Sequence, residues 1–169
     1  MRLNICEFMI NRMDFIIRRA GPNDVIGLAK LYLEFWGPHK GVDPLIKLKD
    51  KLDLKTHVAL AKREIRNRDV IVLIAVKGDE VVGYLEALIK KNESCMKVKR
   101  YGYFNSAVTH KRYRRQGIAR ALTEAMIKRL RAKGIRHIRA NVYNSNKVAL
   151  RTWQRLGLEP QSTNLFTKI

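Results

Sequence analysis

The chain has 169 residues, 46% of them apolar, and a formal net charge of +20 from 35 Lys and Arg against 15 Asp and Glu. That length suits one domain with its own hydrophobic core, and the apolar fraction is ordinary for a globular protein. The longest apolar run, residues 70–76, is far too short for a membrane span, and the first twelve residues lack the unbroken apolar stretch and cleavage site of a secretory signal.

Residues 1–12 carry no pairing signal and are expected to form a peripheral extension to a domain spanning 13–169. The elements expected in that domain begin with a strand at 14–18 and a helix at 24–35 capped by Asn23 or Asp24. A second helix is expected over about 45–67. Strands at 70–76 and 80–90 flank Lys77-Gly78-Asp79-Glu80, a good hairpin turn. A polar loop at 91–99 precedes an aromatic-rich strand at 100–108. Residues 118–133 have helical apolar spacing and end at Gly134, a strand follows at 135–143, and a capped helix within 144–158 ends in glycine. A short strand at 161–168 closes the chain. Hairpins first and a strand–helix–strand unit later predict a mixed α/β domain, its mostly antiparallel sheet covered by helices on both faces.

The most informative stretch is Tyr113-Arg114-Arg115-Gln116-Gly117-Ile118-Ala119-Arg120. It places cationic and amide side chains just before a glycine that opens a helix. A helix N-terminus offers unpaired N–H groups and the positive end of the macrodipole, and glycine admits close approach of an anion to the backbone. The arrangement suits a pyrophosphate.

These residues, and those downstream, resemble the GCN5-related N-acetyltransferase superfamily. That family carries glutamine or arginine, two residues, glycine, one residue, then glycine or alanine; here these are Arg114, Gly117 and Ala119. It also carries an asparagine, an alanine three on, a tyrosine four further and a closing Gly-Phe, which correspond to Asn146, Ala149, Trp153 and Gly157-Leu158. Residues 15–24 are similar to its first strand and helix start, so the resemblance covers roughly 13–169.

The resemblance implies a central V-shaped splay between the strands ending near Val108 and Tyr143, and acetyl-CoA as cosubstrate. The pantetheine arm is expected along Ser106, Ala107 and Val108. The pyrophosphate is expected on Arg114, Arg115, Gln116, Gly117, Ile118, Ala119 and Arg120. Asn146 and Trp153 are expected to touch the cofactor. The family's usual general acid is a tyrosine where this chain has Trp153, and an indole N–H is no useful acid. Where some members place a glutamate, this chain has Asn141. The remaining candidates for proton transfer are Tyr143, Glu86 and a water. A carboxylate inside a strand more often lies on a solvated face or in a salt bridge, and that is the ordinary expectation for Glu86.

The implied reaction is transfer of acetyl from acetyl-CoA to a primary amine by direct attack in a ternary complex. The acceptor is a protein N-terminus, a lysine or a small amine. The competing reading is a catalytically impaired binding module that contacts RNA or the ribosome through its basic surface. Residues 111–139 hold eleven Lys or Arg and one acid, more than a coenzyme needs, and such a surface draws anionic partners. Tyr101, Tyr103 and Phe104, flanked by Lys97, Lys99 and Arg100, resemble a nucleic-acid stacking strip, although the same pattern suits a core strand. No metal site is expected, because His39, His57, His110 and His137 share no ligand spacing and Cys6 and Cys95 stand alone. Two lone cysteines fit free thiols in a reducing cytoplasm. The sequence leaves the oligomeric state open, a dimer included.

Overall fold

A computed structural model describes residues 14–39, 53–163 and 167. The expected extension at 1–12 lies outside them. The order is β1 (Ile16–Arg19), α1 (Val25–Trp36), α2 (Leu54–Arg66), β2 (Val70–Lys77), β3 (Glu80–Lys91), β4 (Arg100–Thr109), α3 (Ile118–Ala132), β5 (Ile138–Ala140) and α4 (Lys147–Arg155). The sheet runs β1-β2-β3-β4-β5, with every neighbouring pair antiparallel except the parallel β4–β5 pair.

The run at β2 is continuous in apolar residues because both faces of that strand are covered. Val70, Val72, Ile74 and Val76 point into a core built with Leu28, Leu31, Tyr32 and Ala61 from α1 and α2. Ile71, Leu73 and Ala75 point the other way, into a core with Ile118, Leu122, Met126 and Leu130 from α3. Each such aliphatic side chain, fully buried, stabilises the fold by about 1.5–3 kcal/mol relative to exposure. Gly83 on β3 is what lets the first turn of α3 settle here: a Cβ would lie 3.0 Å from Ile118 and 3.1 Å from the Val108 carbonyl.

Three expectations are corrected. The second helix begins at Leu54, because extended Asp53 caps it by accepting from the Thr56 N–H at 2.6 Å; the expected start near 45 lies outside the described residues. The strand expected over 135–143 is only Ile138–Ala140, since β4 turns away after Phe104 and leaves the later residues nothing to pair with. Of the closing strand expected at 161–168, residues 161–163 are irregular and 164–166 and 168 lie outside the described set. Asp24 does occupy the cap position of α1, but its carboxylate turns back to the Gly21 N–H (2.8 Å) and the Arg18 guanidinium (2.6 and 2.8 Å). No helix among the described residues is long and apolar enough to cross a membrane.

Candidate active site

The register between β3 and β4 shifts by one residue. Glu86 pairs with Ser106, Ala87 pairs with Phe104, and Asn105 is the extra residue between them. Such a bulge bends its strand and strengthens its twist. The parallel β4–β5 pairing ends at the same place, Phe104 opposite Ala140. Beyond it the outer edge of β4, from Asn105 to Thr109, has no strand partner on the β5 side among the described residues. The result is a split in the sheet lined by backbone N–H and C=O groups, a shape that receives an extended amide chain.

The turn between β4 and α3 stands at the open end of the split. Arg115 (φ 64°) and Gly117 (φ 82°) are left-handed, a combination that gathers backbone N–H groups around one concavity. The first bond within α3 runs from the Ala121 N–H to the Gly117 carbonyl, so the N–H groups of Ile118, Ala119 and Arg120 are not used by the helix. A Cβ at Gly117 would meet no atom within 4 Å, so the space above the turn is open. These features fit a pyrophosphate. The side chains divide their work. The Arg114 Nε donates to the Thr109 carbonyl at 3.1 Å and its guanidinium lies 3.5 Å from Glu34, so Arg114 ties the turn to β4 and α1. Arg115 and Gln116 are exposed, and Arg120 pairs with Glu124 on the outside of the helix.

On the α1 side of the split lies a buried polar cluster. Glu86 is 4% exposed, which overturns the expectation of a solvated face. One of its carboxylate oxygens accepts from the Tyr32 phenol at 2.8 Å, and the other accepts from the Asn105 Nδ2 at 2.6 Å. Burial raises the Glu86 pKa; the Asn105 and Tyr32 hydrogen bonds oppose that, while the charge of Glu64 on α2 adds to it. Burial also raises the Tyr32 pKa, reinforced by the Glu86 charge. Tyr84 is wholly buried with no hydrogen-bond partner for its hydroxyl among the described residues, and its ring packs edge-on against Tyr32 at 5.0 Å. Burial pushes that phenol up, the neighbouring Ser106 hydroxyl pulls it down, and Glu86 raises it further. Val108 packs with the α1–α2 core, and Ala107 is exposed.

The far wall carries the remaining candidates. The Asn146 Oδ1 caps α4 by accepting from the Ala149 N–H at 3.0 Å. Trp153 packs against Phe104 with ring centroids 5.4 Å apart, so this indole fills the base of the split. Tyr143 lies 5.7 Å, centroid to centroid, from His39, just past the end of α1. No group of three His, Cys, Asp or Glu among the described residues could hold a metal ion.

Sequence reasoning missed Tyr32, Tyr84, Asn105 and Glu34. Asn105 did leave a trace, because asparagine is disfavoured inside a strand and here marks the bulge. Tyr32 left none: on α1 it reads as one more core position.

A sequence model of the acetyltransferase (GNAT) family matches residues 28–158. No curated protein matches the sequence. Among solved structures, a tetramutant of the BH1408 protein from Bacillus halodurans superposes with a TM-score of 0.76 at 21% identity, covering 91% of this chain and 99% of that one. The aminoglycoside N-acetyltransferase AAC(6')-Iy in complex with CoA gives 0.75 at 17% identity, covering 92% and 94%. The aminoglycoside 6'-N-acetyltransferase AAC(6')-Ih from Acinetobacter baumannii gives 0.72 at 15%, covering 92% and 97%. With the split strand pair, the anion turn and a match across most of its length, the chain belongs to the acetyltransferase (GNAT) family, and acetyl-CoA is its cosubstrate.

Proposed function

We propose that the chain transfers acetyl from acetyl-CoA to a primary amine within a ternary complex, with Glu86 accepting the amine proton and the Tyr143 phenol returning a proton to the departing thiolate. The observation that carries this reading is the placement of a buried carboxylate, gripped by two donors, beside the strand edge that the sheet split leaves unpaired. Acetyl-CoA supplies the activated acyl group as a thioester. The turn at Arg115–Arg120 would hold its pyrophosphate, the edge at Ser106–Val108 its pantetheine, and a β4 backbone N–H the developing oxyanion.

A carboxylate whose pKa is raised by burial is a better proton acceptor than one in water. The amine must be neutral to attack, so the reaction needs such a base on the acceptor side. That side also carries Glu34 and Glu64, on α1 and α2, each paired with an arginine, Arg114 and Arg63. Two of the structural relatives are aminoglycoside acetyltransferases, which supports including small polyamines of that kind in a screen. Lysine side chains and protein N-termini are the other acceptors to test.

The deciding experiment is calorimetry with acetyl-CoA followed by an amine screen that follows thiol release. Micromolar binding with turnover on at least one amine supports transfer. Tight binding without turnover on any amine supports the competing reading, a fold that holds the coenzyme and acts as a binding module. The surroundings of Trp153 bear on this choice, because an indole packed on Phe104 offers no acid and leaves the task to Tyr143.

A further inference from the structure

At the end of β4 remote from the split, the sheet carries a second surface. The strand alternates, so Gly102 and Phe104 face α3 while Tyr101 and Tyr103 face the opposite side. The aromatic run expected as a single strip is thus divided, and Phe104 belongs to the core. On the face of Tyr101 and Tyr103, the neighbouring strands place cations against the rings. Lys90 of β3 lies with its Nζ 3.9 Å from the Tyr103 ring centroid, and the Arg139 guanidinium of β5 lies 5.6 Å from that of Tyr101. Both rings are half-exposed and Arg139 is exposed.

At the same end of β4, where Arg100 precedes Tyr101 and donates to the Lys133 carbonyl at the end of α3, lies an open groove of about 260 Å³ lined by Val98, Lys99, Arg100, Gly134, Arg136 and His137. Among the described residues no acid lines it. The acids nearest along the chain are Glu93, in the loop before β4, and Glu124, on α3. Nine residue steps of β4 separate this end from the phosphate turn, roughly 30 Å at strand rise. These cations are therefore separate from those that serve acetyl-CoA.

We propose that this end of the sheet docks single-stranded RNA, with bases on the rings of Tyr101 and Tyr103 and phosphates on Lys90 and Arg139 beside them and on Lys99, Arg136 and His137 of the groove at the strand's start. A cation held against an aromatic ring sets a phosphate-neutralising charge within a few ångströms of a stacking surface, which is the pairing that one nucleotide unit requires. The charge complements a polyanion, and the rings distinguish a nucleic acid from an acidic peptide or a lipid surface, neither of which offers bases to stack. Rings lying on a flat sheet reach only unpaired bases, so the partner is single-stranded rather than duplex.

The test is fluorescence anisotropy of the full chain with a labelled oligouridine of about 12 nucleotides, across a salt series. Tyr101→Leu with Tyr103→Leu keeps apolar volume and removes both rings; it should weaken binding at least about tenfold without changing the salt slope, because stacking is worth that much per base or more. Lys99→Gln with Arg136→Gln should flatten the slope by about 0.7 for each phosphate that is no longer neutralised. A control of equal charge on α3, Lys128→Gln with Arg131→Gln, should leave affinity within about twofold of the parent at moderate salt, where distant charges are screened. Acetyl-CoA affinity should be unchanged in all three. If the tyrosine pair fails to fold, Lys90→Gln with Arg139→Gln reads the same rings. The proposal is overturned by a folded tyrosine variant that binds oligouridine as the parent does, by equal loss in the α3 control, or by no binding at the lowest salt. Tighter binding of duplex RNA, or of the matching oligodeoxyuridine, would overturn it as well.

Discussion

The Tyr32 hydroxyl on α1 donates to Glu86 on β3 across 2.8 Å, although 54 residues separate them in the chain. The bond joins the helix that walls the acceptor side to the strand beside the split. With the Asn105 amide on the other oxygen, it leaves the Glu86 carboxylate one orientation and two donors. A carboxylate so placed is held ionisable in a site that burial would otherwise make neutral.

Glu86→Gln should lower kcat/KM by about 10²–10⁴, the usual worth of a positioned proton acceptor. In the parent, kcat/KM should rise with pH through a limb lying above the ordinary carboxylate range, since burial raises the Glu86 pKa. The sign for stability is opposite. The native carboxyl holds its proton more tightly than the unfolded one, whose value is near 4.5, so ionisation costs stability as pH rises through the native pKa. At neutral pH the Gln variant should therefore melt no lower than the parent. A pH–rate profile and a melting curve measure both; full activity in Glu86→Gln would assign the proton to a water.

Gly117→Glu should abolish acetyl-CoA binding while the domain still folds. The added Cβ meets no neighbour within 4 Å, so the fold bears only the left-handed conformation, φ 82°, at a cost of about 1–3 kcal/mol. The carboxylate, however, occupies the concavity and repels the phosphates. Melting should fall by only a few degrees per kcal/mol for a domain of this size. Calorimetry showing parent-like affinity in the folded variant would remove the phosphate role of the turn.

Trp153→Phe should keep most of the activity, because the indole packs on the Phe104 ring and phenylalanine preserves an aromatic there. Some stability should go with the smaller volume, about 1 kcal/mol. Tyr143→Phe keeps the ring that faces His39 and removes only the hydroxyl. It should reduce kcat about 10- to 100-fold and erase the alkaline limb of the profile. A dead Trp153→Phe beside a normal Tyr143→Phe would reverse the assignment.

Asp24→Asn should destabilise the domain at neutral pH by about 1–3 kcal/mol, since it weakens charge-assisted bonds to Arg18 and the capping bond from Gly21. The low end is expected, because Arg18 remains 43% exposed and can return to water. The Arg18 hydrogen bonds hold the Asp24 carboxyl below its ordinary value of 3.8. Its contribution is therefore complete above that value and lost as pH falls through the native pKa, and the variant should show a weaker acid dependence there. Melting curves in acid and at neutral pH measure the difference.

The order of elements, the hairpin at Gly78, the apolar strand β2 and the glycine that opens α3 were all legible in the chain itself. Each rests on local chemistry: periodicity, capping and a glycine at positive φ act over a few residues. Glu86 was legible as a candidate, but its burial was not, because burial depends on α1 crossing above β3. The length of β5 was decided by the bulge at Asn105, which cuts the β4–β5 pairing after Phe104. Tyr32, Glu86 and Asn105 come from three elements, and their side chains meet only when the sheet and α1 have packed. A sequence pattern records which side chains can share a face; which faces meet is settled by tertiary packing, and the base of this site is made there.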